Sequence, residues 1–448
     1  MPLTGIEIFK LLPKTNCKDC GVPTCLAFAM SLATGKVELS ACPHVSDEAT
    51  EQLQVASAPP IRQLTIGVGE TALKVGGETV MFRHEKRFEN PPGVAILVKD
   101  TMEDSDVDAR LERFRHLQYD RVGVTLRPEL VAVKDESGDA AKFEALVNKV
   151  MQNSDGGLIL MSDSPDVLAA GVKAGADRKP LIYAVTSDNV DSLVALAKEN
   201  SCPVAVKASS LDETAELTAK LTETGINDIV IDSGARTVRR AFEEQVIIRN
   251  AALTQKFKPL GFPTITFPGE MTDDPMKEAV IAAMFVAKYA GIVVLSDFQG
   301  ESLFPLLVER LNIYTDPQRP LATTEGIYEI GSPDENSPVA LTSNFSLTYF
   351  IVSGEIEASK VPSYLLVMDT EGLSVMTAWA AGKFVADAIG PFVKKSGITD
   401  KIKHRKLIIP GYSAPESGGL EEELPDWEIM IGPREGALIP AYLKAWTP

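Results

Sequence analysis

Histidine is scarce in this chain, with four in 448 residues, and cysteine is nearly absent from its last nine-tenths, where only Cys202 lies beyond residue 42. No apolar run reaches the ~18–20 residues that a membrane-spanning helix requires, and no low-complexity tract is present. Neither a GxGxxG fingerprint nor a Walker pattern occurs, which argues against a dinucleotide or a P-loop nucleotide. Positive charge is in deficit: 44 basic residues face 62 acidic ones, a net charge of −18. Nucleic-acid binding depends on neutralising phosphates, so that class is excluded, and anionic membranes are disfavoured. The opening MPLTGIEIFKLLPKTN is short and amphipathic and has no basic start before a long apolar run, so no signal peptide is expected. The expected compartment is the reducing cytoplasm.

The remaining four cysteines, Cys17, Cys20, Cys25 and Cys42, crowd into NCKDCGVPTC and SACP. Such crowding means a disulfide knot or a metal site, and a reducing compartment favours metal. The spacing is C-x2-C-x4-C-x16-C. Four thiolates suit tetrahedral zinc or a cubane iron–sulfur cluster. Zinc knuckles usually carry two C-x2-C pairs, and the second is missing here. Three close ligands and a distant fourth just before Pro43 look more like [4Fe–4S]. Gly21 allows a tight turn, and the intervening segment predicts a helix from Pro23 to about Thr34, ended near Gly35. His44 could ligate, but four thiols already close a site, so it reads as a surface histidine. Cys202 reads as a buried or loop thiol.

The chain is long enough for two or three cored domains. Pro59-Pro60 predicts a linker, so the cysteine segment spans 1–58. From 61 to 318, apolar runs alternate with amphipathic helices: 94–100, 122–127, 157–163, 180–187, 203–209, 228–234, 263–269 and 291–297. Eight runs apolar throughout predict a TIM (β/α)8 barrel, with 79–88 as an extra strand or hairpin leading in. Polar residues close several strands: Asp163, Ser187, Asp232 with Ser233, the Pro268-Gly269-Glu270 turn, and Asp297. Barrel enzymes place chemistry there, yet Asp and Ser also cap helices, and no histidine or clear acid–base pair sits among them. Glu270 is the best isolated candidate.

Residues 319–448 predict a small doubly wound (Rossmann-like) α/β domain of four strands, each running into a loop: 338–344, 363–372, 405–414 and 426–436. A single helix is expected over SVMTAWAAGKFVADAIGPFV. The strand ends carry Thr342, Ser343, Asn344 and Ser346; Thr370, Glu371, Gly372 and Leu373; Gly411; and Gly432, Pro433 and Arg434. Open α/β sheets bind ligands along this edge, where small residues let a large flat ligand approach the backbone.

In this three-part order, with the NCKDCGVPTCLAFA segment, the chain resembles the large (gamma) subunits of corrinoid iron–sulfur proteins of the Wood–Ljungdahl acetyl-CoA pathway. The likeness covers essentially the whole length and is greatest to the form of acetogenic and carboxydotrophic bacteria. It implies that Cys17, Cys20, Cys25 and Cys42 hold a [4Fe–4S] cluster and that the strand-end loops of the last domain hold a cobamide. Cobalt would accept a methyl group from methyltetrahydrofolate through a separate methyltransferase and donate it to acetyl-CoA synthase. The cluster would return Co(II) to Co(I). The chain is thus expected to be a methyl-carrier subunit acting as co-substrate rather than a stand-alone enzyme. Implied partners are a smaller, barrel-containing subunit (a heterodimer), the methyltransferase, acetyl-CoA synthase and a low-potential electron donor. No D-x-H-x-x-G motif exists, and His404 in KIKHRKL lacks its Asp and Gly, consistent with a base-off cobamide without a histidine ligand. Two rival readings are a pterin-dependent barrel methyltransferase with an accessory cluster, kept open by Asp163, Asp232 and Asp297, and a plain electron-transfer module.

Overall fold

A computed structural model describes residues 5–33, 37, 39–46, 49, 59–121, 124–316 and 320–448. The expected linker Pro59-Pro60 is among the described residues, whereas the boundary at 318–319 and the helix stop at Gly35 lie outside them. The amphipathic N-terminus forms helix α1, Gly5–Leu11, which packs on α2, Cys25–Ala33.

A short antiparallel hairpin, β1 Leu64–Ile66 and β2 Leu73–Val75, leads into the barrel. The expected lead-in at 79–88 forms turns and no strand. The barrel strands begin with β3, Gly93–Lys99. Next come β4 Tyr119–Arg121 and β5 Val124–Leu126, an antiparallel hairpin outside the barrel. They correct the expected second strand at 122–127. Val124 is 44% exposed and the Thr125 hydroxyl bonds Asp120, whereas a central parallel strand must be apolar on both faces. The true second strand is β6, Leu130–Lys134, buried at its first four positions and registered on β3 as Ala95↔Leu130. The order continues with β7 Gly157–Met161, β8 Leu181–Val185, β9 Val204–Lys207, β10 Ile229–Asp232, β11 Ile265–Thr266 and β12 Ile292–Leu295. All eight run parallel, and the bridge Ile231↔Thr264 closes β10 onto β11.

Alternation divides the barrel core in two. Val94, Ile96, Val131, Val133, Leu158 and Leu160 face outward into the helix layer. Ala95, Ala132, Ile159, Met161, Ala205 and Val230 share the interior with Ile66 and Val75 of the hairpin. Small inward residues leave room for the hairpin.

The last domain has five strands, one more than expected: β13 Gly326–Ile330, β14 Val339–Ser343, β15 Ser363–Met368, β16 Lys406–Ile409 and β17 Glu428–Ile431. Their order is β13-β15-β14-β16-β17, with β13 an antiparallel edge and the others parallel. The expected strand-and-loop segments 338–344, 363–372, 405–414 and 426–436 each contain one of the four parallel strands, followed by its loop. The single helix expected after β15 is two, Val375–Ala380 and Ala386–Lys395, because Gly382 turns at φ +71° and its N–H and that of Lys383 cap the first.

One buried ion pair fastens the loop before the barrel. Arg249, 2% exposed, donates to Glu78 at 2.9 Å and to the Val80 carbonyl, between the rings of Phe88 and Tyr289. Burial raises the Glu78 carboxyl above its ordinary range, and Arg249 opposes that rise. Arg249→Ala is expected to cost about 3–5 kcal/mol in chemical denaturation, because a buried carboxylate is left unpaired. Arg239→Ala, which removes an exposed pair with Glu243, should leave the midpoint unchanged. The Cys202 thiol, buried as expected, is pushed up to about 11 by desolvation. At pH 8 about one molecule in a thousand then carries the reactive thiolate. Iodoacetamide should label Cys202 only after unfolding; ready labelling of folded protein, read by mass spectrometry, would contradict this.

Candidate functional site

The N-terminal thiols are all free. Cys20, Cys25 and Cys42 pack with Ile8, Leu12, Phe28 and Ala29 beneath α1 and α2, whereas Cys17 is exposed. The loop between the helices is tightly wound: Lys14, Asn16, Lys18 and Gly21 have φ of +59°, +51°, +70° and +77°. Left-handed residues spaced along a loop turn its backbone sharply, and at Asn16 the turn aims an N–H at sulfur. The Asn16 N–H points at Cys25 Sγ at 3.4 Å, and the Asn16 carboxamide oxygen accepts from Cys25 N at 2.8 Å. Thr24 caps α2 by accepting from Ala27 N.

Thiolates around one zinc approach each other to about 3.8 Å, given Zn–S of ~2.3 Å. Among the described residues, the ligand-type atoms that meet three together within 4.8 Å are those of Cys17, Asp19 and His44, and no three of the four sulfurs do. His44 is exposed and bonds Asp19 at 2.6 Å; with a second bond from Cys17, this holds the Asp19 carboxyl below its usual range.

In the last domain, strand order reverses between β14 and β16, and the two touch by the single registered pair Ala340↔Ile408. The crevice beyond is a cavity of about 290 Å³, at the kind of switch point where open sheets bind ligands. Thr342, Gly432, Pro433 and Arg434 line it, as do Ser374, Met376, Ile409, Tyr412 and Tyr442. Large apolar side chains stand exposed in this domain: Phe350 at 56%, Leu438 at 55%, Tyr412 at 48% and Met376 at 44%.

Five hydroxyls in this domain are buried without a hydrogen-bond partner: Thr323, Thr342, Ser343, Ser346 and Ser413. Such groups cost about 1–3 kcal/mol each unless something bonds them. Hydroxyls both donate and accept, so an uncharged polar ligand could satisfy them.

The other expected residues build the site's wall. Asn344 Oδ1 accepts from Thr370 N, Thr370 Oγ1 and Gly372 N, each at 3.0 Å, while its Nδ2 donates to Asp369. The Thr370 hydroxyl also donates to the Leu373 carbonyl, and Leu373 packs on the domain core. Glu371, at φ +57°, is exposed and pairs with Lys383. Gly411 and Gly432 are needed for chain packing, since a Cβ on Gly411 would meet Gly432 O at 2.6 Å. Thr323 escaped sequence reading, an ordinary loop hydroxyl until the fold buries it, whereas Ser413 belongs to the expected strand-end loop Gly411-Tyr412-Ser413. His404 lies at the opposite end of β16, bonding the Ser337 carbonyl and stacking edge-on to Trp446, away from the cavity.

At the barrel mouth, Tyr183 donates to Asp232 at 2.6 Å, and Arg236 grips Asp232 through two nitrogens and also Glu270. The tyrosine hydroxyl is raised well above its usual range by burial and by Asp232. Asp297 is held by Arg113, and Asp163 is exposed. These acids neutralise arginines or face solvent, and they assemble no acid–base pair.

Residues 63–443 match the family described as CO dehydrogenase/acetyl-CoA synthase delta subunit, and residues 12–44 match one described as "Putative Fe-S cluster". The chain is 46% identical to the corrinoid/iron-sulfur protein large subunit of Moorella thermoacetica, over 99% of both chains. It is 36% identical to the acetyl-CoA decarbonylase/synthase complex subunit gamma of Methanopyrus kandleri, over 99% of this chain and 97% of that one. A solved dihydropteroate synthase from Vibrio fischeri is 13% identical over 57% of this chain and all of its own, at a TM-score of 0.41, too slight to bear on function. The full-length identity decides the matter: the chain belongs to the family of corrinoid/iron-sulfur protein large subunits and acetyl-CoA decarbonylase/synthase gamma subunits.

Proposed function

We propose that this chain is a corrinoid iron–sulfur methyl carrier of acetyl-CoA synthesis, receiving a methyl group from methyltetrahydrofolate through a methyltransferase and delivering it to acetyl-CoA synthase. The observation that carries this reading is the set of five buried, unpartnered hydroxyls in the last domain, of which Thr342 lines the switch-point cavity, in a chain whose full-length relatives are corrinoid iron–sulfur proteins and acetyl-CoA decarbonylase/synthase gamma subunits. When bound, the corrinoid supplies a cobalt centre that takes up and gives away methyl groups, and the cluster supplies single electrons.

The residues have distinct tasks. Cys17, Cys20, Cys25 and Cys42 hold the [4Fe–4S] cluster, with the wound loop at 14–21 turning the Asn16 N–H toward sulfur. Thr342, Ser343, Ser346, Thr323 and Ser413 bond the corrinoid's amides or tail. Asn344 keeps the Asp369–Gly372 turn rigid beneath it, and Tyr412 and Met376 give it an apolar seat. No histidine is placed to reach the cavity from below, which supports a base-off cofactor: His404 is bonded at the far end of its strand. Reduction of cobalt then need not expel a protein ligand. The proposal includes a three-part division at 58–61 and 318–319, a smaller partner subunit, a low-potential electron donor and a cytoplasmic location. Among the described residues, no helix is long and apolar enough to cross a membrane.

Anaerobically purified protein, produced with a cobamide supply, is expected to carry about four irons and one cobalt per chain, as a cubane held by four thiolates and a single corrinoid site require. Its reduced cobalt band should vanish on methyl transfer. Irons without cobalt, despite available cobamide, would sink the carrier reading and favour electron transfer alone. Ser343→Ala with Thr342→Val should weaken cobamide retention about tenfold or more, with two hydrogen bonds lost. The iron content of that variant should be unchanged.

A further inference from the structure

The barrel mouth is divided. The Tyr183–Asp232–Arg236–Glu270 network seals the side above β8 and β10. Over β3, β6, β7, β11 and β12 a separate cavity of about 200 Å³ remains, with a floor of Leu97, Met161, Phe267 and Val294. Its polar lining is Lys99, Lys134, Arg110, Glu270 and Ser296. Nothing in the carrier reading uses it.

Its charge is lopsided. Three cations line the cavity against one carboxylate, and that carboxylate, Glu270, is engaged by Arg236. Lys99 and Lys134 share a single acid, Glu136, at 2.9 and 3.4 Å. Arg110 spends one nitrogen on the Leu97 and Ser296 carbonyls, and its nearest acid, Asp297 at 3.9 Å, is already gripped by Arg113 through two nitrogens. Glu278, close by, is bonded to Ser296, and burial raises its carboxyl above the ordinary range. In a chain of net charge −18, a concave site lined by spare cations focuses anions.

We infer that this cavity binds a small organic acid, its carboxylate between Lys99, Lys134 and Arg110 and its apolar body on Met161, Phe267 and Val294. The cavity, about 200 Å³, accommodates an acid of a few carbons. The site is independent of the corrinoid, so its failure and that of the carrier reading are distinguishable.

The test is a ligand-observed NMR titration of the full chain, cofactors bound, with isobutyrate, its neutral isostere isobutyramide, and inorganic phosphate. Isobutyrate should bind saturably, and isobutyramide about tenfold or more weaker. Lys134→Met and, as a second variant, Lys99→Met should each weaken isobutyrate about tenfold, with unchanged melting, while exposed Lys220→Met leaves it alone. Absence of saturation, equal binding of acid and amide, or both lysine variants binding normally would overturn the inference. Phosphate binding as tightly as isobutyrate would also overturn it, by reducing the site to a bare oxyanion hole.

Discussion

One carboxamide organises the ligand-facing edge of the last domain. Asn344 follows β14 directly, and its oxygen gathers three donors from the loop after β15 while its nitrogen reaches Asp369. Two adjacent strand ends thereby become one rigid ledge. Thr342 and Ser343 precede Asn344 on that ledge and Ser346 follows it, so their direction depends on that clamp. A hydroxyl can be left unpaired for a ligand only if its backbone cannot relax to find another partner. Asn344 removes that freedom.

The two parallel folds in this chain treat their strand ends in opposite ways. The barrel neutralises its acids against arginines: Asp232 with Arg236, Glu129 with Arg310, Asp297 with Arg113. Carboxylates paired in this way hold loops still. The small sheet instead ends in uncharged hydroxyls, which bond amides without a charge to compensate. Of the three acids that keep the pterin-methyltransferase alternative open, Asp232 is committed to Arg236 and Asp297 to Arg113, while Asp163 faces solvent.

Much of this was legible in the sequence because parallel strands buried on both faces leave unmistakable apolar runs. Seven of eight barrel strands and the four parallel strands of the small sheet announced themselves so. The exception teaches the rule. VGVTLR has β-forming residues, but Thr125 and exposed Val124 cannot enter a barrel wall, whereas LVAVK has larger residues outward and Ala132 inward. Edge strand β13, GIYEI, was missed because one half-exposed side weakens its pattern. The thiols were visible from spacing alone. The unpaired hydroxyls could not be, since a serine in a loop and a serine sealed under one read identically until long-range packing covers them. The helix break at Gly382 was readable in principle, as glycine there supplies the left-handed turn.

The buried hydroxyls also bear on how the chain fares in a cell. On the proposed reading, a freshly made chain carries five unsatisfied groups whose bonds its cofactor will complete. Ligand that binds only the folded state deepens its stability by mass action. Turnover of the chain by proteases would therefore track corrinoid supply, and a cell short of the cofactor would accumulate less of the carrier without any change in its synthesis.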